Sequence, residues 1–523
     1  MIVPLPLSRT TTLGPKFTQI PISNPPRAAI PTTTTIATAT ANPTAGIVGA
    51  GLAGLSAAIA LRRAGFQVQV YERSLFKNEN GAAITTPPDA VRILRQWDPD
   101  LDCARPVPNV CMRHIAANTL QPTFESRYEN DTVKMGAPCL SFHRVDLHER
   151  LKYLAAAPSG LWERRSGGVE DKPVAIRLGC EVLHVDCDKG ILTLADGSRV
   201  QKDLVIIADG AHSKILPDFC GFPPQVQPTG RSIYRWLIPM DKVDLDIKKA
   251  FGGQLEGFIG WIDPKKNVFW VAYACSGGTV LSNAVVHDTE EHVLSQSSSS
   301  ESIAYKRTDR VKLNEVERMS WSTPATKDAV LGTCSNFHPF IRRLVSLASE
   351  DGIKVHRLFK RPPLDSFVRG RTAIIGDAAH VMMPTHAAGF AMAVESAGVL
   401  EALFKELGDH ALGSLAKPLE REMFINERLR LFDELRIPKC NLAMLLSNAG
   451  PEGLSYPGVE AEIRRFYRGP LPPKDAMPWS AEFRKLLFKY DAFAEVEKKL
   501  RDKAKRKKEA ARDLAVTVRP KGS

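Results

Sequence analysis

The chain has 523 residues, 44% hydrophobic and 24% charged, an ordinary globular composition long enough to bury one large core or two smaller ones. Its nine cysteines are odd in number, scattered and without a CxxC pair, so we expect reduced intracellular thiols and no metal site. The formal net charge of +12 gathers between Lys498 and Lys508, without interleaved aromatics and broken by Glu495, Glu497, Asp502 and Glu509, which predicts a solvated terminal helix and no nucleic-acid partner.

Residues 1–43 are rich in Thr and Pro, and the first acidic residue of the chain is Glu72. Arg9, Lys16 and Arg27 in an acid-free start suit a transit peptide, but Pro4, Pro6, Pro21, Pro25 and Pro26 oppose an amphipathic helix. We therefore expect a disordered or targeting extension on a cytoplasmic protein, with mitochondrial import as the alternative. No integral membrane segment is predicted, since the nearest apolar stretch, Gly46 to Leu61, is glycine-rich and ends at Arg62 and Arg63.

From Ala45 the pattern reads strand (Ile47-Val48), glycine turn (Gly49 to Gly54), helix (Leu55 to Ala64, closed by Gly65) and strand (Val68 to Tyr71). Such a βαβ unit crosses over right-handed and implies a parallel sheet. Glu181 to Asp186 and Gly190 to Leu194 are expected as a hairpin, followed by a strand over Leu204 to Ile207. Ile233 to Ile238 and Val268 to Tyr273 predict a separate sheet domain, punctuated by the serine run Ser295 to Ser300. Thr372 to Ile375 then reads as a strand and Ala387 to Leu407 as a helix, and further helices are expected to include Phe432 to Pro438 and Phe483 to Tyr490. The fold class expected is α/β: a Rossmann-type parallel sheet with helices (44–221 and 363–440), interleaved with an antiparallel substrate-binding sheet (222–362) and followed by C-terminal helices with a basic tail (441–523).

Three motifs carry chemistry. In the first, Gly49 permits a tight turn, Gly51 lets backbone approach a pyrophosphate, and Gly54 lets helix pack on strand, while Glu72 ends the second strand where a carboxylate can accept from a ribose diol. The spacing predicts dinucleotide binding without separating FAD from NAD. The second is Arg371 to His380, where Asp377 directly follows a buried strand and a glycine, placed to hydrogen-bond a polyol such as the ribityl chain of a flavin. The helix beyond it offers free N–H groups and a positive dipole end. The third is Asp203 to Ser213, a strand ending in Asp209-Gly210.

The order of these pieces resembles the class A flavoprotein monooxygenases, in particular their salicylate hydroxylase-like branch common in fungal metabolism, over roughly residues 45 to 440. The resemblance implies that the Gly49 to Gly54 turn and Glu72 bind the adenosine part of FAD, that Asp209 and Gly210 serve both FAD and NAD(P)H, and that Asp377 holds the ribityl chain. His143 to His148 is similar to the family's segment whose arginine touches FAD, which would be Arg144. Gly81-Ala82-Ala83-Ile84 resembles its glycine-alanine loop near the cofactor, giving Gly81 and Ala83. Pro384 to Glu395 resembles the stretch running through a Gly-Gln-Gly turn to a helix carrying Glu, but here Ala387-Ala388-Gly389 replaces the turn and Ser396 stands where the family has Asp. The family's contacts there are largely through backbone, so the resemblance implies that Gly389 and Phe390 are cofactor-binding, with altered room over the flavin.

Tyr234-Arg235-Trp236 resembles the family's aromatic-arginine strand, and Tyr273 lies on a later strand before Gly277-Gly278. An arginine beside a phenol favours phenolate, the form that attacks an electrophilic peroxide, so Arg235 and Tyr273 are the catalytic candidates. The resemblance implies an enzyme that uses FAD, NAD(P)H and O2 to hydroxylate an aromatic or polyketide-derived small molecule through a flavin C4a-hydroperoxide, in secondary metabolism. A flavin oxidase, epoxidase or reductase on the same scaffold is the first alternative, and a non-enzymatic nucleotide-binding escort protein is the second.

Overall fold

The βαβ unit read from the sequence is present in the computed structural model, which describes residues 42–76, 81–128, 131–158, 172–224, 226–250, 257–289, 323–405 and 417–517. Residues 1–41 and the run Ser295 to Ser300 lie outside the described residues. The strand Thr44–Val48 buries Ala45, Ile47 and Val48; the first helix, Leu52–Arg63, is rich in Ala and Leu, which favour helix and fill the space beside the sheet; Gln67–Glu72 returns parallel to the first strand. Gly65, at φ +99°, takes the left-handed position that stops the helix. The buried Arg62 guanidinium donates to the carbonyls of Ala155 and Ala157 at 2.9 and 2.8 Å, satisfying the open C-terminal end of a second helix, Arg144–Ala156.

The parallel sheet has six strands in the order Val368–Arg369, Thr372–Ile374, Leu204–Ile207, Thr44–Val48, Gln67–Glu72 and Ala175–Leu178, all parallel but the first. Leu204–Ile207 and Thr372–Ile374 are buried along their whole length, as central strands covered on both faces must be. The chain thus leaves this sheet after Leu204–Ile207 and returns at Val368, and Thr372–Ile374 then pairs beside Leu204–Ile207. A three-stranded meander, Val182–Asp186, Ile191–Leu194 and Arg199–Gln201, is inserted before Leu204.

A second, eight-stranded sheet runs Thr323–Pro324, Lys354–Lys360, Gln227–Pro239, Val280–Asp288, Val268–Cys275, Phe258–Asp263, Cys111–Ala116 and Pro122–Arg127. Its last two strands precede residue 222, so the sheet does not start at the boundary expected from the sequence. Cys111–Ala116 pairs parallel with Phe258–Asp263, a long-range match that extends the sheet at the edge of an otherwise antiparallel array. The long helix Pro418–Asn448 likewise crosses the expected boundary at 440 and runs through Pro438.

The period of two divides the large sheet between two environments. Tyr234, Trp236, Trp261 and Trp270 face a core closed by Ile341 and Leu344, with Trp270 edge-on to Trp236 and Trp261 at 5.0 and 5.7 Å. Arg235 is in register with Ala284 and Val271, and Tyr273 with Ser282 and Leu237, so both candidates stand on the opposite face. A small sheet of Ala83–Thr86, Cys139–His143 and Val107–Asn109 and the helix Ala388–Phe404, which is buried almost all round, belong to the larger core. The final helix, Ala492–Thr517, carries the basic tail; Lys499 and Lys503 pair with Glu434 and Glu427 of Pro418–Asn448. No helix among the described residues is long and apolar enough to cross a membrane.

Candidate active site

Three of the parallel strands end in the expected motifs, all at their carboxyl ends: Gly49 to Gly51 after Val48, Asp209 and Gly210 after Ile207, and Asp377 after Ile374. Glu72 closes a fourth. The chain departs from Thr44–Val48 to Gln67–Glu72 on one side and later to Leu204–Ile207 on the other, which makes this edge a switch point where open α/β sheets hold ligands.

The glycine turn separates its three roles. A Cβ on Gly49, at φ +99°, would meet Ala208 O at 2.6 Å, and one on Gly54 would meet Gly49 O at 1.9 Å, so neither position tolerates a side chain without backbone movement. A Cβ on Gly51 would meet nothing within 4 Å. The space is open where a phosphate would approach and closed where helix packs on strand. The Glu72 carboxylate accepts from Ala50 N and Ser74 N, both at 2.7 Å, and is buried. It braces the turn while retaining a second lone pair on each oxygen for a sugar hydroxyl.

Asp377 begins a short helix after Gly376, whose backbone at φ 62°, ψ −149° is open only to glycine and whose Cβ would lie 2.7 Å from the Cβ of Ala53. The Asp377 side chain is exposed, yet desolvation by its surroundings pushes its carboxyl above the ordinary value, against the opposing pull of His380, Arg361 and Arg144. We read this coincidence of exposure and desolvation as a hollow at these strand ends. A Cβ on Gly389, at the start of Ala388–Phe404, would stand 4.0 Å from Asp377 Oδ1, so this helix end faces the same hollow. Phe390 lies behind it in the core.

Asp209 is also pushed up by burial, and its Oδ1 finds no donor among the described residues. An orphaned acceptor, an accessible carboxyl at depth and an open glycine turn on neighbouring strand ends are the features a dinucleotide with sugar and polyol hydroxyls would satisfy. Ala83 pairs with His143, and Arg144 N donates to Ala82 O at 2.8 Å, which brings the glycine-alanine loop and Arg144 together. Gly81 has a packing reason of its own, since a Cβ there would strike the His143 ring at 1.9 Å.

Arg235 and Tyr273 are half-buried neighbours, and Arg144 acts electrostatically on both Arg235 and Asp377, which joins the sheet face to the strand ends. Burial raises the Tyr273 hydroxyl above its ordinary value although Arg235, Thr85 and Ser282 pull it down. Tyr273 is therefore a neutral phenol at pH 7, a donor beside a cation, and carries no phenolate of its own. Burial also lowers the Arg235 guanidinium from its ordinary value, against the pull of Tyr273, from a level so high that it keeps its charge.

Two residues that tie these loops together escaped the sequence reading. Arg361, buried, donates to Ala378 O at 2.8 Å and Ala211 O at 3.0 Å, locking the Asp377 helix to the Asp209-Gly210 loop. His148 is hydrogen-bonded to Ala50 O at 2.8 Å, fixing the glycine turn from the second helix. His148 lies in the quoted His143 to His148 segment and could have been found as an i+4 partner of Arg144, whereas Arg361 has no local signal beyond preceding two prolines.

Residues 45–233 match the family of pyridine nucleotide-disulphide oxidoreductases. The chain is 30% identical over 398 residues to hispidin-3-hydroxylase of Neonothopanus nambi, covering 73% of this chain and 84% of that one. Among solved structures it is similar to CtdE in complex with FAD and a substrate (TM-score 0.62, 18% identity, 88% of this chain and 98% of the other). It is also similar to a salicylate hydroxylase substrate complex (TM-score 0.57, 20% identity, 87% and 97%).

Proposed function

This chain belongs to the class A FAD-dependent flavoprotein monooxygenases, and we propose that it uses NAD(P)H and O2 to hydroxylate an aromatic or polyketide-derived small molecule in secondary metabolism. The observation that carries the reading is the meeting of two surfaces at one hollow: strand ends suited to a dinucleotide, and a sheet face bearing Arg235 and Tyr273. Bound FAD supplies the redox chemistry, accepting electrons from the nicotinamide and activating oxygen.

The remaining work falls to the chain. The turn Gly49 to Gly51 and the N-terminus of Leu52–Arg63 would take the pyrophosphate, Glu72 the adenosine ribose, Asp377 the ribityl hydroxyls, and Asp209 a further cofactor hydroxyl. Arg144 and Arg235 set a positive potential between the cofactor and the sheet face, which lowers the pKa of a phenolic substrate hydroxyl and favours its electron-rich anion. Tyr273, kept protonated, would orient that oxygen by donating to it.

An air-saturated assay with phenolic and polyketide-like compounds tests the reading. Substrate-stimulated NAD(P)H consumption that yields hydroxylated product with little peroxide is the expected result. Stoichiometric peroxide without product for every compound would replace hydroxylation with an oxidase activity on the same scaffold.

A further inference from the structure

The loop that leads into Ala388–Phe404 is held from outside. Met383 N donates to Asn448 Oδ1 at 3.0 Å, Thr385 Oγ1 to Ser447 O at 2.9 Å, and the His386 ring stacks on Phe483 at 5.1 Å. The indole N–H of Trp479 donates to Thr385 O at 2.8 Å. All four anchors come from the C-terminal part of the chain. Within the loop Ala387 sits at φ +52°, the left-handed region that costs any residue with a Cβ. Trp479 is itself left-handed at φ +66°, which a bulky residue adopts only where its surroundings over-determine it. Those surroundings are the Tyr128 ring at 6.0 Å, the Phe258 ring at 5.2 Å, and Arg484, which donates to Trp479 O at 2.6 Å and lies over Tyr128 at 4.4 Å. Phe258 in turn meets Tyr273 edge-on at 5.0 Å.

We propose that Trp479 is a positioning residue for the cofactor site: its N–H pins the Met383 to Ala387 turn, holding Ala387 in its left-handed conformation, so that the start of Ala388–Phe404 is presented to the hollow beside Asp377. The brace does from outside what a glycine at 387 would do by itself. A glycine at 387 would adopt this backbone without steric cost, whereas alanine needs the external contact. The proposal rests on the FAD reading above.

The test is FAD affinity across a double-mutant cycle, read by quenching of flavin fluorescence on titrating apoprotein, with melting temperature measured alongside. Trp479→Phe keeps an aromatic ring and removes the donor; a fivefold to tenfold weaker FAD affinity is expected, the worth of one hydrogen bond. Adding Ala387→Gly should bring the affinity back to within about twofold of the parent. A role for Trp479 in packing alone would lower the melting temperature and leave the loss unrescued, or leave affinity unchanged, and either result overturns the proposal. If Trp479→Phe does not fold, Phe483→Leu, which removes the His386 stack, enters the same cycle with the same expectation. Parent protein that takes up no FAD would overturn both readings, whereas uptake with an unaffected variant would overturn this one alone.

Discussion

The two loops facing the hollow are built by opposite means. The Gly49 to Gly54 turn carries its conformation in residue type: the left-handed position is glycine, the close helix–strand contact is glycine, and Glu72 of the same βαβ unit braces it. The Met383 to Ala387 turn has alanine at its left-handed position and borrows its geometry from Ser447, Asn448, Trp479 and Phe483. A turn encoded locally survives on its own sequence, while one encoded by tertiary contacts is only as rigid as what leans on it.

The helix behind the braced turn offers the largest way to break the contrast. Glu395 and Arg436 form a fully buried ion pair at 2.7 Å, and Arg436 also donates to Ser396 Oγ at 3.1 Å and Met392 O at 3.2 Å. Glu395→Gln leaves a buried cation without its counter-charge, and denaturant unfolding should show a loss of about 3–5 kcal/mol. On the locally encoded side, Gly54→Ala forces a Cβ to 1.9 Å from a backbone oxygen and should cost about 2–3 kcal/mol. Its neighbour Gly51→Ala, with open space around it, should leave stability within about 0.5 kcal/mol of the parent while weakening FAD binding at least tenfold. Equal stability losses for the two alanines would dissolve the division of roles within that turn.

Acid separates the loops more gently. Burial depresses His386 from 6.5 to about 4, so it is neutral in the fold. The unfolded chain binds this proton at higher pH than the folded one does, so the stability is fully present above pH 6.5 and is lost as pH falls toward 4. The loss should reach about 2 kcal/mol at pH 5, and His386→Phe, which keeps a ring against Phe483, should flatten that part of the profile. An unchanged profile in this variant would place the acid sensitivity elsewhere, with His380, also lowered to about 4 by burial, as the group to examine next.

What the sequence made legible follows the same line. The βαβ unit, the buried strands at 204–207 and 372–374 and the three acid motifs were readable because each is a contiguous pattern whose residue types answer a local demand. Cys111–Ala116 joining the large sheet was not, since a parallel partner a hundred and more residues away leaves no mark in a six-residue strand. Pro438 reads as a helix end, but burial of Arg436, Lys439 and Cys440 carries the helix past it. Arg361 and Trp479 act through backbone carbonyls of distant loops, and a carbonyl has no sequence identity.

The most direct measurement is FAD binding to the purified protein set against Asp377→Ala, with thermal unfolding as the control for fold. The account predicts one FAD per chain for the parent, and at least tenfold weaker binding in the variant at an unchanged or slightly higher melting temperature, because a desolvated carboxyl does nothing for stability. A folded parent that takes up no FAD, or a variant that binds it as the parent does, would contradict the assignment of the hollow.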